Sequence, residues 1–243
     1  SAAARISDPD DLTRVLEWLA ERTWNDKGDV TVTVYALEDS AGVDPAALHE
    51  RNRHAYAQRY LKRIWYGPRT MYAPADVPAA LTAEDFCFEV VFDYGEHATT
   101  HPTPAAGDGL TWGLRPDAFS TYRGGFELRT QRLCRRVLMF HRIESATTPV
   151  LVAATELVHA DDPAAATLSS VTHRRFVETT PGSYLSQAMP PVAFTYSPAV
   201  LSPAVREFGL GLSPAGWDGL LQAARGKGIS EAVLEEAGLV IQR

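Results

Sequence analysis

This 243-residue chain has two cysteines, Cys87 and Cys134, far apart and outside any Cys-x-x-Cys pair. That excludes a disulfide scaffold and a cysteine-built zinc site, and the two thiols read as buried and reduced within apolar runs. The seven histidines include no His-Glu-x-x-His, so a metal centre has no motif behind it. His49 and His54 do not share a helix face well at their spacing, and read as solvated. No Gly-x-Ser-x-Gly elbow surrounds Ser183 or Ser186, and Arg123-Gly124-Gly125-Phe126 is too short for a phosphate loop. No apolar run has membrane-spanning length, and no basic-then-apolar leader opens the chain. Positive charge is also in deficit: 23 Lys and Arg against 30 Asp and Glu leave a net charge of -7. That balance argues against general attraction to nucleic acid or anionic membrane. None of these patterns implies a cofactor.

What the chain does have is strand pattern. From Phe126 to Ile143 no Pro or Gly interrupts a run rich in Val, Leu, Phe and Thr, which predicts one long extended segment. On a period of two, both of its faces mix apolar residues with arginines, as suits a large, partly covered sheet. Arg129, Arg132, Arg135 and Arg136 are the candidate functional residues here, with Arg123 and Arg142 flanking them. A strand arginine needs a carboxylate or water, so cross-strand ion pairing is the first reading and nucleic-acid contact the weaker one.

Elsewhere, residues 13–37 predict a hairpin. Trp24-Asn25-Asp26-Lys27-Gly28-Asp29 supplies the turn and Val30 to Tyr35 the return strand, while the incoming Arg14 to Glu21 fits a strand or a helix. Asp44-Pro45 opens an expected helix through about Gln58, although its apolar face is thin. Further strands are expected at Arg59–Tyr66, Phe86–Tyr94, Pro149–His159, Leu168–Glu178 and Val192–Tyr196, with surface connections at 68–82 and 98–118. The Phe86 strand is apolar on nearly both faces and is placed inside a sheet. Strands that follow one another without intervening helices predict an antiparallel meander. After Pro198 the pattern becomes helical. Pro203, Pro214 and Ser230 begin three short helices, each followed by Gly.

Several ordered motifs carry a resemblance over roughly residues 1–197. They are Arg-Ile-Ser-Asp-Pro at 5–9, Trp-Asn-Asp-Lys-Gly-Asp at 24–29, Glu-Arg-Asn-Arg at 50–53 and Arg-Tyr-Leu-Lys-Arg-Ile-Trp-Tyr-Gly at 59–67. Glu-Val-Val-Phe-Asp-Tyr-Gly-Glu-His at 89–97, Arg-Pro-Asp-Ala-Phe-Ser-Thr-Tyr-Arg at 115–123 and Arg-Leu-Cys-Arg-Arg-Val-Leu-Met-Phe-His at 132–141 complete the set. The chain resembles the N-terminal domain family shared by the Salmonella virulence-plasmid B protein (SpvB) and the B subunits of insecticidal toxin complexes. The turn Trp24, Asn25, Asp26 and Gly28 is similar to that of RHS (YD-repeat) shell proteins.

The resemblance implies a mainly β fold, an antiparallel meander or RHS-like curved sheet, with a short C-terminal α-helical segment. It implies a non-catalytic part of a toxin shell that encloses and delivers a cytotoxic C-terminal effector, with the four arginines available to line that shell. Implied partners are other segments of the shell, the effector, and the toxin-complex A and C components, with no specific nucleic acid. The implied location is the bacterial cytoplasm, then the exterior. The actin ADP-ribosyltransferase known in the family belongs to a separate domain with a Glu-x-Glu pair, and this sequence contains none.

The tail from about 201 to the end resembles the start of the RNA-polymerase domain of bacterial DNA primase, and stops before any catalytic part. The expected domains are thus 1–197, a shell fragment, and 198–243, a three-helix fragment. The join near 197–202 is read as artificial or misassembled, the alternative being a toxin fragment with an acquired helical cap. The opening Ser-Ala-Ala-Ala-Arg reads as the interior of a longer chain. Other classes kept open are a primase-related nucleic-acid fragment and a β module that binds through Trp65, Trp112 and Tyr122.

Overall fold

The computed structural model describes the chain except for residues 52, 54–56, 74, 144–147, 163–164, 198–213 and 229–243. It divides into two units, Ser1–Thr195 and Tyr196–Arg243. The first unit is antiparallel β throughout its pairings. Its strands are β1 (Arg5–Ser7), β2 (Val15–Trp18), β3 (Arg22–Trp24), β4 (Val30–Leu37), β5 (Arg59–Pro68), β6 (Phe86–Asp93), β7 (Phe119–Thr121), β8 (Leu128–Thr130), β9 (Arg136–His141), β10 (Val150–Ala160), β11 (Thr167–Thr180), β12 (Ser183–Ala188) and β13 (Val192–Ala193). A nine-stranded sheet runs β12-β11-β10-β9-β6-β5-β4-β3, with β13 also against β11, while β1-β2 and β7-β8 form two small ribbons. The predicted meander is therefore present, interrupted only where β7 and β8 leave the sheet between β6 and β9.

The β3–β4 turn forms for a local reason. Asn25 Oδ1 accepts the amides of Lys27 and Asp29 at 2.9 and 3.1 Å, and Trp24 pairs with Val30. Gly28 has φ +89°, and a Cβ there would lie 2.9 Å from the backbone of Tyr72. Only glycine meets both demands. The incoming side is shorter than expected: Val15–Trp18 turns away to pair with β1, so only β3 belongs to the hairpin.

Two expectations are corrected. The long segment from Phe126 is not one strand. β8 pairs with β7, residues 131–135 cross between sheets, and β9 enters the main sheet between β6 and β10. The crossing residues spend their hydrogen bonds on other partners: Gln131 N–H on the Tyr60 hydroxyl at 2.9 Å, and Arg135 N–H on the Asp93 carbonyl at 2.8 Å. The segment opening at Asp44 also lacks the expected α-helix among its described residues, which make successive turns, and Leu48, the apolar anchor it would have needed, is 81% exposed. A helix without a face to bury lacks tertiary stabilisation. Strand β12 was not anticipated, because Ser-Tyr-Leu-Ser-Gln-Ala offers little apolar alternation. In the second unit, α1 (Pro214–Gly226) occupies the middle of the three expected helices; the other two lie outside the described residues. Among the described residues no helix is long and apolar enough to cross a membrane.

One face of the main sheet carries the core. Val91 pairs with Leu138, Leu138 with Ala154, and Phe140 with Leu151, so these buried side chains stack on one side, with Phe176 and Tyr184 packed against them. A second cluster joins Val30, Val32 and Phe86, and a third joins Ile6, Ala57 and Phe126. The alternate positions of β6 and β9, Phe88, Val90, Phe92, Val137 and Met139, are only half-buried. Cost of truncation follows buried area. Leu138→Ala is expected to cost about 2–5 kcal/mol and Met139→Ala less than about half of that, as read from urea midpoints.

Candidate functional site, a buried network of arginines and carboxylates

The crossing from β8 to β9 carries Arg132 into the interior, where it is 2% exposed and faces Glu38, 1% exposed, just past the end of β4. Arg132 Nε donates to both Glu38 oxygens at 3.1 and 3.0 Å. Its Nη2 donates to Glu38 and Asp39, and its Nη1 to the carbonyls of Ala41 and Trp112 at 2.9 and 3.0 Å. The guanidinium lies 4.4 Å from the Trp112 ring centroid. Tyr60 donates its hydroxyl to Glu38 at 3.0 Å and accepts the Gln131 amide. Burial pushes the Tyr60 phenol well above its ordinary value, and the Glu38 charge adds to that, so it stays a donor.

Three further nodes surround this one. On β8, Arg129 pairs with Glu50 and donates to Ser120 Oγ, while Arg53 pairs with Glu127. At the head of β9, Arg136 pairs with Asp93 at 2.5 Å and donates to the carbonyls of His97 and Ala98 at 2.9 Å. At its foot, Arg142 bridges Glu84 and the buried Glu89 at 2.7 Å, and Glu89 also accepts Trp65 Nε1 at 2.9 Å. Arg135 differs: it has no carboxylate at ion-pair distance among the described residues, and Arg123 is exposed. So Arg129, Arg132 and Arg136 each hold a different carboxylate, Glu50, Glu38 and Asp93, and do not converge on a shared partner.

The turn residues Trp24, Asn25 and Asp26 are exposed at the end of the β3–β4 hairpin, and Gly28 is buried against Tyr72. Trp65, Trp112 and Tyr122 sit apart: Trp65 against Phe86, Trp112 against Tyr60 and Tyr94, and Tyr122 exposed. His49 is exposed, with its side chain 76% accessible; His54 lies outside the described residues. Both cysteines are free and half-buried, less enclosed than expected. Burial, with the Asp93 charge adding to it, pushes the Cys134 thiol up to about 11, so it is protonated at neutral pH. Among the described residues no group of three or more His, Cys, Asp and Glu is placed to hold a metal.

Sequence reasoning missed Glu38, Tyr60, Lys62, Glu96, His97 and Asp108. Asp93-Tyr94-Gly95-Glu96-His97 was the available signal, since four titratable groups in five residues at a strand end mark a site where buried charge has to be compensated. There Asp93 caps the Gly95 amide at 2.8 Å and Glu96 caps that of Tyr94 at 2.8 Å. Lys62 reaches across from β5 to Glu96, the Phe92 carbonyl and His97.

An antiparallel sheet whose buried charges are paired with one another defines the class of this unit as an all-antiparallel β domain. Residues 1–143 match the family model described as SpvB, Salmonella virulence plasmid 65kDa B protein. That is more than half of the chain, and the chain belongs to that family. It is 38% identical over 143 residues to the mono(ADP-ribosyl)transferase SpvB of Salmonella typhimurium strain 14028s, covering 58% of this chain and 24% of that one. The same figures hold for the Salmonella choleraesuis protein. The chain thus spans about a quarter of the length of these curated relatives.

Among solved structures, it resembles a TcdB2-TccC3-Cdc42 crystal structure with a TM-score of 0.69 and 33% identity, covering 81% of this chain and 9% of that one. The Photorhabdus luminescens Tc holotoxin pore matches with a TM-score of 0.67 and 35% identity over 81% of this chain and 9% of its own. The N-terminal domain of the effector SpvB from Salmonella typhimurium strain LT2 matches with a TM-score of 0.64 and 29% identity, over 80% of this chain and 56% of that one. The match to SpvB therefore falls in its N-terminal domain.

Removing one partner of a buried pair strands the other charge. Glu38→Gln is expected to lower stability by about 3–5 kcal/mol in chemical unfolding, whereas Glu84→Gln, at the exposed end of the Arg142 pair, is expected to change it by less than about 1 kcal/mol. Asp117 offers a test in acid. Arg115 grips it at 2.7 and 2.8 Å, and with the Ala166 amide holds it from the usual 3.8 down to about 2. A depressed carboxylate stabilises the fold above its unfolded value and loses that contribution as pH falls through its folded value. Stability is expected to drop between pH 3.8 and about 2, and Asp117→Asn to flatten that part of the curve of unfolding free energy against pH.

Proposed function

We propose that this chain is a non-catalytic structural part of a toxin-complex B subunit or related virulence protein, one that helps form a hollow shell around a cytotoxic C-terminal effector before delivery. The single observation that carries this reading is the likeness to toxin-complex structures at a TM-score of 0.69 and 33% identity over 81% of the chain. The half-buried apolar face of the main sheet supports it, because such a face suits a sheet that is one wall of a larger body. So do the ion-paired arginines, which hold the wall together and leave Arg135 as the candidate for lining it. The partners are then adjoining shell segments, the enclosed effector, and toxin-complex A and C components, and the domain is made in the bacterial cytoplasm and acts outside it.

Residues 1–197 are read as the shell part and 198–243 as a separate helical segment. Helix α1 supports the helical half of that reading, and its likeness to primase stops short of any catalytic residue.

The test is a transplant. Residues 1–195 replace the corresponding segment of a toxin-complex B subunit, which is then co-expressed with its C component. The expected outcome is an assembled shell whose effector resists protease. Failure of the transplant to assemble, or labelling of actin from NAD by this chain alone, would overturn the reading.

A further inference from the structure

A cavity of about 640 Å³ lies over β4 and β5, lined on the sheet side by Val34, Ala36, Lys62 and Arg63. Its far wall belongs to the segment that leaves β6, with Glu96, Gly107 and Trp112 among the lining residues. That volume suits a small-molecule site. Arg136 on the Ala98 carbonyl and Arg132 on the Trp112 carbonyl hold the two ends of that wall, and between them the tie is His97, whose ring is fully buried.

His97 Nε2 lies 2.8 Å from Lys62 Nζ. A charged ammonium has no lone pair, so it can only donate, and Nε2 must accept. The ring is therefore neutral, with its proton on Nδ1, 3.3 Å from Asp108 Oδ2. Asp108 also takes the amides of Ala98 at 2.9 Å and Thr103 at 3.2 Å, so it gathers the segment around the ring. Lys62 completes its three bonds with Glu96 and the Phe92 carbonyl. From β6, Asp93 accepts the His97 amide at 3.3 Å; from β9, Arg136 donates to the His97 carbonyl at 2.9 Å. The charges around the ring are thus Lys62 and Arg136 against Asp93, Glu96 and Asp108. Tyr94 and Cys134, the remaining titratable neighbours, are both pushed up by burial and uncharged.

We propose that His97 is an acid-released clasp: a proton on Nε2 replaces the Lys62–His97 hydrogen bond with two facing cations and frees the 98–112 wall, opening the cavity while the sheet stays folded. Burial, then the Lys62 charge, hold the ring below its ordinary value, and Glu96, Asp93 and Asp108 oppose them. The folded ring takes a proton less readily than an unfolded one. Closure is therefore fully stable above about pH 6.5 and weakens as pH falls below it towards the lowered folded value. This device does not depend on the shell reading.

Hydrogen exchange on the full chain, corrected for intrinsic rates, tests it. Amides of 98–112 are expected to exchange about tenfold faster or more at pH ~5 than at pH ~7.5, with β6, β9 and β10 unchanged. His97→Gln, which cannot take the proton, and Lys62→Met, which removes the facing cation, are each expected to abolish that step. Nitrogen chemical shifts of the unmodified chain provide a reading that needs no variant: the Nδ1–H tautomer, with a titration midpoint below the ordinary histidine value. Exchange that is flat with pH, a step that survives His97→Gln and so belongs to the carboxylates, or an Nε2–H tautomer each overturns the proposal.

Discussion

A guanidinium withdrawn from water loses several kcal/mol of hydration, and the loss is made good only where geometry supplies acceptors on every side. Arg132 meets that condition because the end of β4, the loop after it and the Trp112 segment all converge on it. These pieces are far apart in sequence; Glu38 is 94 residues from Arg132. Their convergence also explains why the extended segment breaks between β8 in its ribbon and β9 in the main sheet. A regular strand would present residue 132 to one face of a ladder, whereas this arginine needs carbonyls and a carboxylate wrapped around its plane.

The same logic repeats at the other nodes. Asp93 and Glu96 serve as caps and ion-pair partners at once, and Asp108 caps the Ala98 amide while facing the His97 ring, so that a long, Pro- and Gly-rich connection is held in one conformation. Pro102 is buried, but most of the 98–118 segment is exposed, in keeping with the surface connection its composition suggests. Charge thereby does in this domain what a second layer of helices does in many others. It covers and fixes one face of the sheet near β4, β5 and β6, while hydrophobic contacts dominate further along, from Val91 to Ala154.

That division leaves the sheet asymmetric. One face is closed by side chains and loops; the other shows half-buried Phe88, Val90, Phe92 and Met139. An asymmetric sheet of this kind is coherent as a section of a larger β structure, and the toxin-complex chains it resembles are about ten times its matched length, with 9% of the TcdB2-TccC3-Cdc42 chain covered. The family assignment and the physical build agree at that level: charge pairing holds the loops against the sheet, and one face of the sheet is only half-buried.

By itself the sequence determined the features whose causes are local. Alternation in Val30–Tyr35 and the apolar run at Phe86–Asp93 specified strands, Asn25 and Gly28 specified a turn, and Pro214 marked a helix start, because periodicity and backbone preference act within a few residues. The absence of helical pattern between strands specified the meander. Only the tertiary structure decided where the long arginine-rich segment breaks, which carboxylate each arginine takes, and that His97 lies beneath Lys62. Those outcomes depend on desolvating charges against partners 35 to 94 residues away. A charged residue looks the same in sequence whether it is bound for solvent or for a buried pair; its partner's arrival through folding makes the difference.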